Sequence, residues 1–291
     1  DKNEIEIAKN LGIAANPYDI VNGELLSSNG NLLLMDETGT LTIPDSVTKI
    51  GEGAFANLEG LKTIIIPGTV KEISANAFAY NSTLETVIMQ EGVEKIDGWA
   101  FAGCSNLKNV SMPNSLKEVG EMCYFVCTSL ENIEFPDGIT IFPQYILADC
   151  LNLKSVKTPS KLETIYECAF SNTSISTINI PSTVTVIRPN TFVSCSKLEN
   201  IELNNNKNYK YENGFLVSNT ENSILFISDK YLKSTNTLEI PEGIESFNTS
   251  LGIYSNLTKI VIPSTLTSLG ERIFPKSINE VKLASGNTTF I

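Results

Sequence analysis

Residues 61–78 read LKTIIIPGTVKEISANAF, and the spacing of their apolar side chains predicts the architecture. The apolar positions of this stretch are Leu61, Ile64, Ile66, Val70 and Ile73, and it ends in Ala77-Phe78. The alternation of Ile64 and Ile66 predicts a short strand, and Pro67 ends that strand because proline fixes φ and has no N–H. The remaining spacing fits neither a helix nor one continuous strand. We therefore interpret the stretch as two short extended segments joined by corners.

The same pattern returns about every 23 residues. Its proline position is kept in Pro44, Pro67, Pro113, Pro136, Pro159, Pro181, Pro241 and Pro263, with Gln90 in one slot. Its aromatic position is kept in Phe55, Phe78, Phe101, Tyr124, Phe170 and Phe192, with Leu147 as a substitute. A single unit of this size cannot bury its own apolar side chains, whereas stacked units form a continuous core. The sequence therefore predicts a solenoid with a parallel sheet and an outer arc of turns or single helical turns.

The register of this solenoid can be stated residue by residue. We expect one buried ladder beneath the sheet, formed by Ile64, Val87, Val110, Ile133, Val156, Ile178 and Ile201. Charges alternate in sign from unit to unit in Lys62, Glu85, Lys108, Glu131 and Lys154, in Lys71, Glu94 and Lys117, and in Glu72, Lys95 and Glu118. Strands in one sheet lie about 5 Å apart, so neighbouring units can pair these charges.

Composition argues against several classes of function. The 291 residues hold 33 acidic and 21 basic side chains, a formal net charge of −12, and no histidine. Without histidine there is no Ser-His or Cys-His pair and no usual general base, so we expect no enzyme, cofactor or metal site. The acidic balance opposes binding to nucleic acid. No apolar run approaches 18 residues, so we expect no membrane insertion by this chain.

Four of the six cysteines share one repeat position. They are Cys104, Cys127, Cys150 and Cys195, with Thr173 between the last two. Because free cysteine behaves as a small hydrophobe, this column predicts a stack of buried thiols. Disulfides between neighbours or with Cys123 and Cys168 are one alternative, and a thiolate nucleophile or metal site is another.

A larger repeat lies on top of the first, because residues 208–218 parallel residues 18–27. In each copy two apolar runs flank polar residues, which in the first copy are 28–31 and include an Asn-Gly hairpin signal. The predicted organisation is an N-terminal cap with a β-hairpin (1–40), a repeat array (41–203), a β-hairpin insert (204–237) and further repeats (238–291). Residues 283–290 resemble residues 203–211, so we expect a third insert to begin there and the chain to continue.

The unit L-x-x-I-x-I-P-x-x-V-x-x-I-x-x-x-A-F-x-x-C resembles the leucine-rich repeats of the BspA-like family of bacterial and protozoan surface proteins. The resemblance covers about residues 41–203 and 238–283. More familiar leucine-rich repeats place Asn two residues beyond the proline, where this chain has Thr69, Gly92, Ser115, Gly138, Lys161 and Thr183. The resemblance implies a leucine-rich repeat solenoid in a secreted or surface-anchored bacterial protein, with signal and anchor outside this segment.

The resemblance also implies a function, namely a protein-binding or adhesion module directed at a host matrix or microbial surface protein. A glycan-binding module or a purely structural spacer is the alternative, and we expect a monomer. The candidate partner-binding residues are the outward strand positions on the expected concave face: Thr63, Ile65, Thr86, Ile88, Asn109, Ser111, Asn132 and Glu134. A solvated face without function is the competing interpretation. A second candidate site is the insert, where Tyr209, Tyr211 and Phe215 could supply aromatic anchors.

Overall fold

The computed structural model describes residues 19–27, 35–251, 256–270, 273–287 and 289. It begins with two antiparallel strands, β1 (Asp19–Val21) and β2 (Glu24–Ser27). The chain then winds through about 11 turns spaced about 23 residues apart, with almost no helix. Because most turns contribute two short strands, two parallel ladders run along the solenoid and confirm the predicted fold.

The ladder that we call the first sheet contains the strands that begin each turn. These are β3 (Thr40–Thr42), β5 (Thr63–Ile66), β7 (Thr86–Met89), β9 (Asn109–Ser111), β11 (Asn132–Glu134), β13 (Ser155–Lys157), β15 (Thr177–Asn179), β17 (Asn200–Glu202), β21 (Thr237–Glu239), β23 (Lys259–Ile262) and β25 (Glu280–Leu283).

The second sheet contains two-residue strands after each proline corner. These are β4 (Lys49–Ile50), β6 (Glu72–Ile73), β8 (Lys95–Ile96), β10 (Glu118–Val119), β12 (Ile141–Phe142), β14 (Thr164–Ile165), β16 (Val186–Ile187), β22 (Ser246–Phe247) and β24 (Ser268–Leu269). Each ladder pairs a residue with its counterpart one unit away, as Ile64 with Val87 and Glu72 with Lys95.

The predicted apolar ladder is buried, which confirms the register. Six of its seven members are at most 8% exposed: Ile64, Val87, Ile133, Val156, Ile178 and Ile201. Val110 is only half-buried, although it still packs against the core. Its strand β9 pairs with β7 but not with β11, so the first sheet is interrupted beside Val110. The second sheet is interrupted at the same boundary, between β10 and β12.

The outer arc consists of consecutive turns, as predicted, and these turns are themselves hydrogen-bonded from unit to unit. The N–H of Phe78 donates to the carbonyl of Ala100 at 2.8 Å. The residues two before and two after the inward aromatic have positive φ, as Asn76 (57°) and Tyr80 (61°) show. This left-handed backbone lets the chain reverse twice within a few residues and aims the aromatic ring inward.

Stacked aromatic rings fill the core beneath the outer arc. Ring centroids are 5.2 Å apart for Phe55 and Phe78, 5.3 Å for Phe78 and Phe101, and 5.6 Å for Phe101 and Tyr124. The stack is interrupted at Leu147. There Phe135 and Phe142 from the strand side enter the core, with their ring centroids 4.8 Å apart and Phe142 5.7 Å from Phe170. Large side chains from the strand corners therefore replace the missing ring.

Hydroxyl groups replace the asparagine that familiar leucine-rich repeats place after the first strand. Ser115 Oγ accepts from the N–H of Gly92 at 2.8 Å and donates to the carbonyl of Val93 at 2.7 Å. It thus bridges backbone groups of the preceding unit, so the corner keeps its polar groups satisfied without an asparagine. An amide performs this role only at Asn206 and Asn287 among the described corners, which donate to Pro181 and Pro263 carbonyls respectively.

The insert is more than the predicted β-hairpin. It contains β18 (Tyr209–Glu212), β19 (Phe215–Ser218), β20 (Ser223–Ile227) and a short helix, α1 (Asp229–Ser234). The three strands are antiparallel, and β20 also pairs in parallel with β22 of the second sheet. The insert is therefore built into the solenoid instead of projecting from it.

The two copies of the larger repeat differ in which strands they pair with. In the first copy the strand that follows the Asn22-Gly23 turn, β2, pairs directly with β4. In the second copy the strand that follows Asn213-Gly214, β19, pairs with β20 instead. The expected parallel between residues 208–218 and 18–27 therefore does not extend to their pairing. The hairpin signal at residues 28–31 lies outside the described residues.

The insert also separates two hydrophobic cores. Strands β19 and β20 are buried along their whole length. Leu216 and Phe226 pack into the core of the first array, whereas Val217 and Ile227 pack into the core of the turns that follow. The insert therefore forms a wall that both arrays use.

Some of the alternating charges form ion pairs between units, whereas Lys71 donates instead to the carbonyls of Gly68 and Gly92. Lys108 pairs with Glu85 at 3.1 Å, Lys117 with Glu94 at 2.8 Å, Lys154 with Glu131 at 2.9 Å and Lys49 with Glu72 at 3.3 Å. Lys95 pairs instead with Asp97 of its own unit at 3.0 Å. The hydrogen bond from Lys117 lowers the pKa of Glu94. These side chains are exposed, so each pair contributes at most about 1 kcal/mol.

The buried hydroxyl of Tyr124 has no hydrogen-bond partner. Because Phe101 occupies the same position in the preceding unit, Tyr124→Phe removes an unsatisfied polar group without changing the ring. We expect the free energy of unfolding to rise by about 1 kcal/mol, measured by urea denaturation. The matched control is Tyr209→Phe, which removes a hydroxyl that donates to the Thr185 carbonyl at 2.9 Å and should lower stability. A loss of stability in Tyr124→Phe would contradict this interpretation.

Reversing one charge should reveal the inter-unit ion pairs. Glu94→Lys places a third cation between Lys71 and Lys117, so we expect a lower melting temperature at low salt and a smaller deficit in 0.5 M NaCl. The control is Glu163→Lys, which makes the same change in the same column between Thr140 and Thr185. The control should show little salt-dependent loss. A deficit of Glu94→Lys that is independent of salt would indicate a packing defect.

Candidate functional site

The eight predicted binding residues lie on the outward side of four neighbouring strands, β5, β7, β9 and β11. Register pairs Thr63 with Thr86 and Ile65 with Ile88, and then Thr86 with Asn109 and Ile88 with Ser111. Side chains on one face of a parallel sheet stand in columns about 5 Å apart. The alternation of each strand therefore produces the two columns that the sequence predicts.

A shallow depression of about 530 Å³ lies over this face. Six of the eight predicted residues line it: Thr86, Ile88, Asn109, Ser111, Asn132 and Glu134. Thr63 and Ile65 lie one turn away and do not line it. The depression lies where β9 and β11 are not paired, and half-buried Val110 lines it as well.

The apolar part of this face is smaller than the sequence suggests. Ile88 is 37% exposed, whereas Ile65 is half-buried. The expectation of two exposed isoleucines is therefore correct for Ile88 and only partly correct for Ile65. Ser111, one strand beyond Ile88, is small and leaves the Ile88 side chain uncovered.

The polar part of this face offers hydrogen-bonding groups and one ion pair. Asn109 Nδ2 approaches Thr86 Oγ1 at 3.4 Å, and Glu134 pairs with Lys157 of the next unit. Amide and hydroxyl side chains of this kind can bind backbone or hydroxyl groups of a partner. Within the described ranges, no group of three or more Cys, Asp or Glu side chains is placed to hold a metal ion.

The cysteine column forms the predicted stack of buried thiols. No disulfide is present among the six cysteines, and Cys104, Cys127, Cys150 and Cys195 are buried. The thiol of Cys104 lies 3.3 Å from the carbonyl of Phe78, and the other three thiols repeat this contact with Phe101, Tyr124 and Phe170. Burial raises the pKa of Cys104 and Cys150 to about 12, so these thiols are poor nucleophiles at neutral pH.

The insert does not present the predicted aromatic anchors. Tyr209 and Phe215 are 5% and 6% exposed, and Tyr211 is half-buried with its hydroxyl donating to the Glu199 carbonyl at 2.9 Å. These rings hold the insert against the solenoid, so the sequence interpretation of them as exposed anchors is wrong for Tyr209 and Phe215. A cavity of about 1380 Å³ lies beside them, lined in part by Tyr211, Tyr231 and Glu239.

Sequence reasoning missed this cavity because it arises from long-range packing. Tyr231 belongs to α1, a helix that the sequence did not predict, and Glu239 belongs to β21 on the other side of the insert. No local pattern brings the two together. One signal points to this region, namely the paired turns Asn22-Gly23 and Asn213-Gly214, which mark where additional strands interrupt the repeat.

The repeats of this chain are similar to those of known leucine-rich repeat proteins. The family model for the BspA-type leucine-rich repeat region, which contains six copies of the repeat, matches residues 35–151, 122–234 and 218–290. A leucine-rich cell surface protein from Faecalibacterium prausnitzii superposes with a TM-score of 0.71 at 26% identity, covering 84% of this chain and 69% of that one. No functionally curated protein matches.

Two further structures share the fold. A leucine-rich repeat protein from Bacteroides ovatus gives a TM-score of 0.66 at 24% identity, covering 91% of this chain and 74% of that one. The pneumococcal vaccine antigen PcpA gives a TM-score of 0.58 at 20% identity, covering 89% of this chain and 65% of that one. In the described part of the chain, no helix has the length and apolar character that crossing a membrane requires.

The buried thiols lead to a labelling prediction. Burial raises the thiol pKa of all six cysteines, but Cys168 is only half-buried whereas the other five are buried. In native protein at pH 8, iodoacetamide should therefore modify at most Cys168. Intact mass spectrometry counts the adducts, and the same reaction in urea should modify all six cysteines. Rapid native labelling of Cys104 or Cys150 would contradict the buried stack.

Proposed function

Because this chain belongs to the family of BspA-type leucine-rich repeat proteins, we propose that it is a cell-surface binding module. It recognises a protein of a host matrix or of another microbe through the first-sheet face. The likeness to a leucine-rich cell surface protein supports the location, and the repeat architecture supports the binding role. Solenoids commonly use one regular face for recognition, because stacking brings many side chains onto one surface.

The observation that carries this proposal is the depression over β7, β9 and β11. It combines the exposed Ile88 with a polar rim, which includes the amide of Asn109 and the paired carboxylate of Glu134. An apolar centre with a polar rim is the usual anatomy of a protein interface. The interruption of the first sheet at this place also exposes part of Val110, which enlarges the apolar centre.

The proposed activity is binding and not catalysis. The chain has no histidine, and the cysteines in the shared column are buried with a raised pKa. A hydrolase or transferase needs a base and an activated nucleophile at one place. In the depression Glu134 is paired with Lys157, and the hydrogen-bonding side chains there suit recognition of a polypeptide surface.

A pair of substitutions tests this site. Ile65→Asp with Ile88→Asp places one charge in the depression and a second one turn away, so we expect at least a tenfold loss of affinity for a matrix protein captured by the wild type. Biolayer interferometry against immobilised fibronectin, fibrinogen, laminin and collagen provides the measurement. Ile88 points away from the core, so its single variant Ile88→Asp should leave the melting temperature almost unchanged.

The matched control is Ile141→Asp, which makes the same change at an isoleucine that is 46% exposed on the second sheet. This variant should bind like the wild type. A glycan array is measured in parallel, and binding there without binding to any protein would favour the glycan-binding alternative. Equal loss in both variants, or no loss in either, would contradict the proposed site.

A further inference from the structure

The outer arc carries an exposed cluster of large apolar side chains that none of the functions above uses. We call it the outer-arc patch, and it consists of Tyr80, Trp99, Met122, Phe125, Val126 and Tyr145. Tyr80 is 55% exposed and the others are half-buried. It lies on the opposite side of the hydrophobic core from the strands, so it is a separate surface from the first-sheet face.

The backbone ladder of the outer arc arranges these residues in two columns. Trp99, Met122 and Tyr145 lie two residues before the inward side chain of their turns, and Tyr80 and Val126, two turns apart, lie two residues after it. The N–H of Trp99 donates to the Glu121 carbonyl at 2.9 Å, and the N–H of Met122 donates to the Gln144 carbonyl at 3.0 Å. Trp99, Met122 and Tyr145 therefore lie one above another in three consecutive turns. The rings of Trp99 and Phe125 meet edge to face with centroids 5.8 Å apart, which joins this column to Phe125.

Most of these large residues have a backbone conformation that is unfavourable for bulky side chains. Five members of the patch have positive φ: Tyr80 (61°), Trp99 (61°), Met122 (54°), Val126 (59°) and Tyr145 (56°). Equivalent positions in several other turns hold residues that tolerate this backbone, such as Gly53, Asn57, Asn76 and Asn190, although Cys168 and Ser194 also adopt it. A bulky residue in the left-handed region is disfavoured because its Cβ comes too close to the following carbonyl oxygen. Strain and solvent exposure coincide here, and strained residues of this kind cluster at functional sites.

The charge around the patch has one sign. The five outer arcs at residues 74–82, 97–106, 120–129, 143–152 and 166–175 contain no Lys or Arg. They contain four acidic residues, Asp97, Glu121, Asp149 and Glu167. Lys95 of the second sheet pairs with Asp97, and Glu167 accepts from Gln144 Nε2 at 3.2 Å, while Glu121 is exposed. The surroundings of the patch are therefore acidic.

We propose that the outer-arc patch binds a cationic and apolar segment of a partner protein. Its Lys or Arg side chains lie over the rings of Trp99 and Tyr145, where a cation is attracted to the π face, and pair with Glu121 and Glu167. Its apolar side chains cover Met122 and Val126. Aromatic and methionine side chains of this kind are the usual anchors of protein interfaces, and the first-sheet face lacks them.

Charge favours this occupant over a second copy of the chain. The protein carries a formal net charge of −12, and two apposed patches would bring their acidic rims together. Like charges at an interface cost several kcal/mol. A basic segment removes this repulsion and satisfies both the rings and the carboxylates.

Trp99 is the only tryptophan of the chain and reports on the patch directly. The probe is a 12-residue peptide of alternating arginine and leucine, titrated at 150 mM NaCl. We expect saturable binding with a blue shift of the Trp99 fluorescence. A peptide with serine in place of leucine keeps the charge and should bind at least tenfold more weakly. An unchanged Trp99 spectrum, or equal affinity for both peptides, would overturn the proposal.

Two sets of variants separate binding from folding. Met122→Asn with Tyr145→Asn removes two anchors but places a residue that tolerates positive φ, so affinity should fall at least tenfold while the melting temperature stays equal or rises. Glu121→Gln with Glu167→Gln should also weaken binding, whereas the charge-matched control Glu131→Gln with Glu163→Gln should not. A fall in melting temperature for the asparagine pair, or equal effects of both glutamine pairs, would show that the patch is structural or the binding unspecific.

Discussion

Each side chain of this solenoid has as its nearest neighbours its own counterparts one unit earlier and one unit later. The constraint is visible in the pairing, since Ile64 meets Val87, Glu94 meets Lys117 and Phe78 meets Phe101. A column of equivalent residues is therefore the unit of packing, and each column must be compatible with a spacing of about 5 Å. Rings stack, charges alternate and thiols follow one another because each of these arrangements repeats without a clash.

This constraint explains which parts could be predicted from the sequence. A fixed period determines the column to which each residue belongs, so the buried ladder, the inward rings and the thiol stack follow from spacing alone. Val110 departs from its column at an interruption of the first sheet, although Val156 stays buried at a second interruption between β13 and β15, and no residue pattern marks either one. Lys95 departs because Asp97 lies closer than its partners in neighbouring units. Such local choices depend on side-chain rotamers, which a period does not specify.

In the candidate site, the outward position of each side chain could be predicted from the sequence, whereas its degree of exposure could not. Alternation in β5, β7, β9 and β11 identified the outward residues, and the structure places six of the eight around one depression. The unequal exposure of Ile65 and Ile88 depends on the size of their neighbours across the sheet. The role of the insert could not be inferred, because β20 pairs with β22 through a contact between distant strands. A hairpin signal specifies a turn, whereas burial on two faces is a property of the whole assembly.

Because the insert is buried on both of its faces, the array should not unfold from its ends in the way that a simple stack of units does. In a simple stack each unit contacts only its two neighbours, so fraying can pass along the whole length one unit at a time. Here a wall with apolar side chains on both faces stands between two cores, and its removal exposes Leu216 on one side and Val217 on the other. Such a wall acts as a stop for fraying from either end. Proteolysis that trims the array from one terminus would therefore pause at the insert and leave a half-molecule that still carries its own cap.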